Sequence, residues 1–347
     1  MYHSGIGGGG FAIIRSSNGS YDTIDFREAA PLSAHENMFK ENPQHSIAGS
    51  RASGVPGEIR GLQYTHEHYG SLPWKELVEP AARVARDGWT VGEDLDRCIN
   101  TSLNDTKYDF FVEDPSWAID FAPNGKRLAR GDHFSRHRYA NTLDMIAGHG
   151  PDVFYNGPIA ERIVNATNNS ITLRDLKEYS IRRLKTSSIR YKSHRLFSTV
   201  APSSGVIALS TLKILEGFEN LFKGDSIVLS THRLVEALKF AFGQRARLGD
   251  PAFVPNLEDY QAWILSDEVA KQSRDKIIDD RVLDLDSYNP DGYKMPKSHA
   301  EYGHNVTVML STLSAVQGII RRSDGTFDAA TLRALHVFKI GQSERFS

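Results

Sequence analysis

The sequence is short of cysteine, of net charge and of long apolar runs, and each shortage excludes something. Its one cysteine, Cys98, cannot form an intramolecular disulfide and lacks the neighbours that a metal or redox motif needs. With 41 basic and 43 acidic residues the chain is nearly neutral, so its charge does not argue for nucleic acid as a partner. No block of like charge marks a membrane-surface segment or an acidic tail. No apolar stretch reaches the length that spans a bilayer, and no basic region followed by an apolar one opens the chain, so neither anchor nor signal peptide is visible. A Gly-x-Ser-x-Gly elbow is absent, and no Ser-His-Asp arrangement is proposed.

What is present is concentrated between Ser4 and Pro31. Gly7 to Gly10 form a backbone without side chains, which another chain segment or a ligand can approach closely. Phe11, Ala12, Ile13 and Ile14 then run apolar without alternation, as in a strand covered on both faces. Ser16, Ser17, Asn18 and Gly19 supply turn chemistry for a hairpin, and the return strand delivers Arg27 at its end. An arginine at a strand terminus is placed to hold a planar carboxylate bidentately. It can instead pair with the neighbouring Asp25 or Glu28.

Further along, Gly54, Val55, Pro56 and Gly57 break the backbone before a helical spacing of Ile59, Leu62, Thr65 and Tyr69. Leu77 to Ala85 predicts a short helix stopped by Gly88, with Pro80 in its first turn or kinking it. The polar and aromatic stretch from Ile99 to Arg138 has weak periodicity, and no element is placed there. Leu143 and Ile146 fit a helix begun at Asn141 and Thr142, Ile159 to Val164 another, and Thr172 opens a short helical turn. Two strands follow across the Ser193-His194 turn, then a helix opened by Pro202, Ser203, Ser204 and Gly205, and a longer one carrying Leu234 to Arg245. Helices and strands mix without strict alternation, which favours an α+β layered domain over a doubly wound sheet. From about Ser323 the chain is polar and offers little apolar surface.

Other chemical readings fail on particular residues. The glycine run lacks the Lys-Ser/Thr of a P-loop and precedes a strand where phosphate-binding fingerprints need a helix. His133 and His137 have a zinc-compatible spacing on a helix, but Phe134 stands where a metalloprotease motif carries Glu, and a solvated face is the simpler reading. His66 and His68 alternate and offer no metal pair. Asn-x-Ser/Thr sequons at Asn18, Asn100, Asn104, Asn165, Asn168 and Asn305 exceed the roughly two expected by chance and lean toward a glycoprotein of the secretory pathway.

A set of motifs in fixed order resembles the large subunit of the γ-glutamyltransferases, also called glutathione hydrolases. The matches are Ser4 to Phe11, Asp25 to Pro31, Gly54-Val55-Pro56-Gly57-Glu58 with Gly61-Leu62, Tyr69-Gly70-Ser71-Leu72-Pro73-Trp74, and Pro80 to Ala85 with Gly88. They continue through Phe154-Tyr155-Asn156-Gly157, Pro202-Ser203-Ser204-Gly205, Ile214 to Phe218, His232 with Glu236 to Phe242, Arg245, Leu248-Gly249-Asp250-Pro251 and Phe253-Val254. The resemblance implies an N-terminal-nucleophile hydrolase fold, an α+β αββα sandwich that is incomplete here because the small-subunit portion is largely missing. It divides the chain into a large-subunit-like domain at 1–302 and a divergent tail at 303–347.

The resemblance also implies a chemistry. The precursor cleaves itself before a threonine, whose hydroxyl then acts as nucleophile with its own α-amino group as base; that amine titrates at about 7.7–8.0 and can be neutral at working pH. A γ-glutamyl-enzyme ester forms from glutathione or another γ-glutamyl compound and is resolved by water or by an acceptor amino acid or dipeptide. No cofactor, metal or nucleic acid is implied; a small-subunit partner is. The implied location is the secretory pathway, extracellular or at the plasma membrane. Arg27 falls on the family arginine that binds the γ-glutamyl α-carboxylate. Where the family carries Gly-Thr, this chain reads Tyr302-Gly303-His304-Asn305-Val306-Thr307-Val308-Met309, with His304 in the threonine's place and Thr307 as the nearest candidate nucleophile. A non-catalytic, truncated or frameshifted homologue is the alternative that this departure raises.

Overall fold

The turn at 16–19 folds the early apolar stretch back on itself. Gly19, at φ +88°, donates its N–H to the Ser16 carbonyl, and the Asn18 carboxamide oxygen accepts from the Ser20 amide at 2.9 Å. The result is the antiparallel pair β1 (Phe11–Arg15) and β2 (Tyr21–Asp25), with Phe11 opposite Asp25. The computed structural model describes residues 5–47, 49–103, 109–223, 227–288, 315–322 and 324–333. It forms two units, Met1–Pro290 and Asp291–Ser347.

In the first unit, α1 (Glu58–Tyr69) starts just after the Gly54 to Gly57 break and closes with the Gly70 amide donating to the His66 carbonyl. α2 (Trp74–Asp87) is longer than its spacing predicts, and Pro80 lies in its middle. Pro80 is exposed, so the carbonyl deprived of an intrahelical donor is left to water and the helix continues. β3 (Trp89–Thr90) pairs with β4 (His133–Phe134), and between them come α3 (Glu93–Leu103), α4 (Phe110–Glu113) and α5 (Pro115–Phe121). The stretch from Ile99 to Arg138, where no element was expected, thus builds a small core with Ile99, Phe111, Phe121, Leu128 and Phe134, joined by Val91 from just before it. Each piece is too short to show a period, and the cluster forms only when they meet. α6 (His137–His149) starts at His137, earlier than Asn141, and His133 lies on a strand, so the two histidines share no helix face. Among the described residues no group of His, Cys, Asp and Glu is placed to hold a metal ion.

α7 (Asp152–Tyr155), α8 (Pro158–Ala166) and α9 (Leu173–Glu178) follow. Thr172 and Asp175 form a reciprocal capping box on α9, and Asp175 also accepts the Leu32 amide at 2.6 Å, which ties the loop after β2 to this helix. β5 (Arg182–Leu184) adds to the free side of β2, giving the order β1-β2-β5. Among the described residues β1 is therefore an edge strand, and with Ile13 36% exposed it is not covered on both faces by them. β6 (Ser187–Tyr191) and β7 (His194–Ser198) form the expected ribbon. α10 (Gly205–Glu216), α11 (Ile227–Arg245), α12 (Leu257–Ile264) and α13 (Asp267–Lys276) follow. One core lies between α1, α6, α7, α8 and α9, around Ile59, Ile146, Phe154 and Tyr155; another lies between α10, α11 and α13, around Ile214 and Phe240. The second unit contains the hairpin of β8 (Ala315–Arg321) and β9 (Phe327–Arg333). His304 and Thr307 lie outside the described residues.

Candidate functional site

The glycine run serves close backbone approach. Gly10 and Phe26 exchange both main-chain hydrogen bonds, which extends the β1–β2 ladder, and the Gly8 carbonyl accepts from the Gly57 and Glu58 amides, each at 2.9 Å. A Cβ on Gly9 would strike the Phe26 carbonyl and the Arg27 backbone; one on Gly57 would strike the Phe26 carbonyl and the Tyr179 hydroxyl. At Gly8, Gly9 and Gly10 the close approach is made by residues 26–28 of the chain, and the Arg27 side chain is exposed.

Arg27 lies two residues beyond β2 and is exposed. Its amide donates to Asp25 Oδ1 at 3.0 Å, and its carbonyl accepts the Tyr179 hydroxyl at 2.8 Å. Both backbone groups are fixed. Among the described residues its guanidinium makes neither an ion pair nor a hydrogen bond, so pairing with Asp25 or Glu28 is not what the structure contains. A cation presented this way is available to an anionic ligand.

The surroundings are charged. Asp25 is 8% exposed and sits opposite Arg182 in the β2–β5 register. Burial pushes its carboxyl above the usual range, with the charge of Asp250 adding to that, against the Arg27 amide and the positive charges of Arg182 and Arg27. Arg182 Nη1 bonds Asp250 Oδ1 at 2.7 Å. Burial would raise Asp250 too, but the Ala252 amide and Arg182 outweigh it and hold this carboxyl low. Burial, with the nearby Tyr155, Asp25 and Glu28, lifts the Tyr179 hydroxyl far above its ordinary value, so it remains a donor.

Asp250 also walls a cleft of about 370 Å³ between the turn at 202–204 and the segment 245–250. There Arg245 Nε donates to Ser204 Oγ at 3.2 Å, and Ser203 Oγ contacts Thr199 Oγ1 and accepts the Gly205 amide. A larger groove of about 770 Å³ faces α1, α2 and α6, lined mainly by apolar groups such as Leu62, Leu77 and Val84. It offers little to a charged amino-acid ligand. The residues quoted from sequence as 202–205 and 248–251 thus meet in space, and the neighbourhood joins them to Arg27. Sequence reasoning gave Tyr179, Arg182, Arg245 and Asp250 no role. Only Asp250 carried a local signal, an acid in a Gly-Asp-Pro break a few residues past a long helix.

The sequence profile of the gamma-glutamyltranspeptidase family matches residues 1–320. A glutathione hydrolase proenzyme from Arthroderma benhamiae is 52% identical over 296 residues, 84% of this chain and 50% of that protein. A glutathione hydrolase from Aspergillus flavus is 47% identical over 301 residues, 86% of this chain and 50% of that protein. The chain thus spans about half the length of these curated relatives. Among solved structures, Helicobacter pylori gamma-glutamyltranspeptidase superposes with a TM-score of 0.73 at 29% identity, covering 81% of either chain. The Pseudomonas nitroreducens gamma-glutamyltranspeptidase complexed with L-DON gives 0.72 at 28% identity, covering 83% of this chain and 86% of that one. The α+β architecture is that of N-terminal-nucleophile hydrolases of this kind. With the family profile covering nearly the whole sequence and the fold shared, the chain belongs to the gamma-glutamyltranspeptidase family.

Proposed function

We propose that the protein binds γ-glutamyl compounds such as glutathione and serves in their hydrolysis or transfer, with Arg27 holding the α-carboxylate of the γ-glutamyl group. One observation carries this reading: a backbone-anchored arginine whose guanidinium is exposed and unpaired among the described residues. A cation without an internal partner takes up an anionic ligand without displacing an existing ion pair.

The chemistry proposed is acyl transfer. A threonine hydroxyl, for which Thr307 is our candidate, attacks the γ-carbonyl carbon; its proton passes through the α-amine, exposed by self-cleavage, to the leaving amide nitrogen. The resulting ester is opened by water, or by the amine of an acceptor amino acid or dipeptide. The relatives' names, glutathione hydrolase and its proenzyme, support both substrate and processing. A small-subunit partner supplies the remainder of the site in this proposal. A second reading, binding without turnover, is favoured by His304, which stands where the family context has threonine. We also propose passage through the secretory pathway, since the sequon asparagines 18, 100, 165 and 168 are exposed.

A denaturing gel together with p-nitroaniline release from a γ-glutamyl anilide separates the readings. Two bands with turnover support hydrolysis or transfer; one band without turnover, but with retained γ-glutamyl binding, supports the second reading.

A further inference from the structure

The cleft at 202–204 and 245–250 is occupied by no role so far, and its chemistry is that of a carboxylate subsite. Arg245 is exposed, has no acidic partner among the described residues, and is held by one contact to Ser204 Oγ at 3.2 Å. Ser204 is the N-cap of α10 yet makes no side-chain capping bond, its hydroxyl being engaged by Arg245. The cleft therefore gathers a guanidinium, two serine hydroxyls and the start of a 12-residue helix. The single acid on its wall, Asp250, is already paired with Arg182 at 2.7 Å.

The cleft is joined to Arg27 by a short relay. The Arg27 amide bonds Asp25, Asp25 faces Arg182 across the β2–β5 ladder, and Arg182 bonds Asp250 in the cleft wall. Two unpaired arginines thus flank one paired acidic stretch. A volume of about 370 Å³ accommodates the C-terminal residue of a short peptide.

We propose that this cleft, centred on Arg245 and Ser204, receives the C-terminal carboxylate of a γ-glutamyl peptide whose α-carboxylate is held by Arg27. The proposal rests on the γ-glutamyl reading above and makes peptides with a free C-terminus the preferred members of that substrate class. Arg245 is a specificity-determining residue in this account, and Arg27 the anchor common to all γ-glutamyl ligands.

Calorimetric titration of the full chain with glutathione and with its glycine monoethyl ester isolates that one carboxylate. The unaltered protein is expected to bind the ester about tenfold more weakly, the loss of one charge-assisted contact at a partly solvated site. Arg245→Gln is expected to bind both compounds alike, at the ester's affinity, whereas Arg27→Gln weakens both and keeps their ratio. Equal affinity of the unaltered protein for acid and ester overturns the subsite while leaving the γ-glutamyl reading intact, and so does an Arg245→Gln variant that keeps the preference. Failure of the unaltered protein to bind either compound overturns both. The acid-against-ester comparison needs no variant, so the proposal stays testable even where Arg245→Gln does not fold.

Discussion

The Tyr179 hydroxyl donates a 2.8 Å hydrogen bond to the carbonyl oxygen of Arg27, 152 residues away in sequence. Its ring stacks on Tyr155 at 6.0 Å and 11°, and Tyr155 is in turn fixed by donating to the Pro56 carbonyl and accepting the Arg60 amide. The backbone position of the candidate substrate-binding arginine therefore depends on Tyr179, which packs against the core of the first unit through Tyr155.

Tyr179→Phe preserves the stack and removes only that hydroxyl. The expected result is a stability loss of about 1 kcal/mol, the usual worth of one such bond, in chemical denaturation. A larger proportional loss of affinity for γ-glutamyl ligands should accompany it, because the Arg27 carbonyl is released.

Gly57→Ala tests the close approach from below. A Cβ at this position overlaps both the Phe26 carbonyl and the Tyr179 hydroxyl. Overpacking of this kind costs about 3 kcal/mol, measurable as a lowered denaturation midpoint with an unchanged slope.

Asp22 provides a pH-dependent prediction. Burial would raise its carboxyl, but hydrogen bonds from Tyr64 at 2.7 Å and Tyr69 at 2.8 Å, together with Arg183, outweigh burial and hold it below the ordinary 3.8. A depressed acid contributes stability that is present above its unfolded value and lost as pH falls below it. Asp22→Asn should therefore lower stability at neutral pH by about 2 kcal/mol and flatten the acid limb of the stability curve below pH 3.8.

Asp25 shifts the other way, with burial as the main cause. A raised acid favours the folded state while protonated and subtracts stability as pH rises above its unfolded value. Asp25→Asn keeps an oxygen for the Arg27 amide and removes the charge, so it should leave the protein as stable as before or more so at neutral pH. A thermal-melt series from pH 3 to 8 that shows a marked loss instead would mean the carboxylate itself is needed there.

Local chemistry explains what could be read beforehand. Asn18-Gly19 fixed the hairpin, Thr172 with Asp175 fixed the start of α9, and the break at 54–57 fixed the start of α1, because each depends only on residues a few positions apart. Arg27 was legible as a strand-end arginine for the same reason. The small core at Val91, Ile99, Phe111, Phe121, Leu128 and Phe134 was not, since no single segment carries enough of it to show a period. Pro80 misled for want of knowledge that its face of α2 is exposed. The Arg182–Asp250 pair and the Arg245–Ser204 contact join positions 68 and 41 residues apart, and no rule of spacing brings them together.

The most direct test of the account is the affinity of the full chain for a γ-glutamyl ligand, L-glutamine or glutathione, before and after Arg27→Gln. The account predicts saturable binding that falls at least tenfold in the variant, the loss of a bidentate arginine–carboxylate contact, with the melting temperature unchanged because the guanidinium has no internal partner among the described residues. Binding that is undiminished in Arg27→Gln would contradict it.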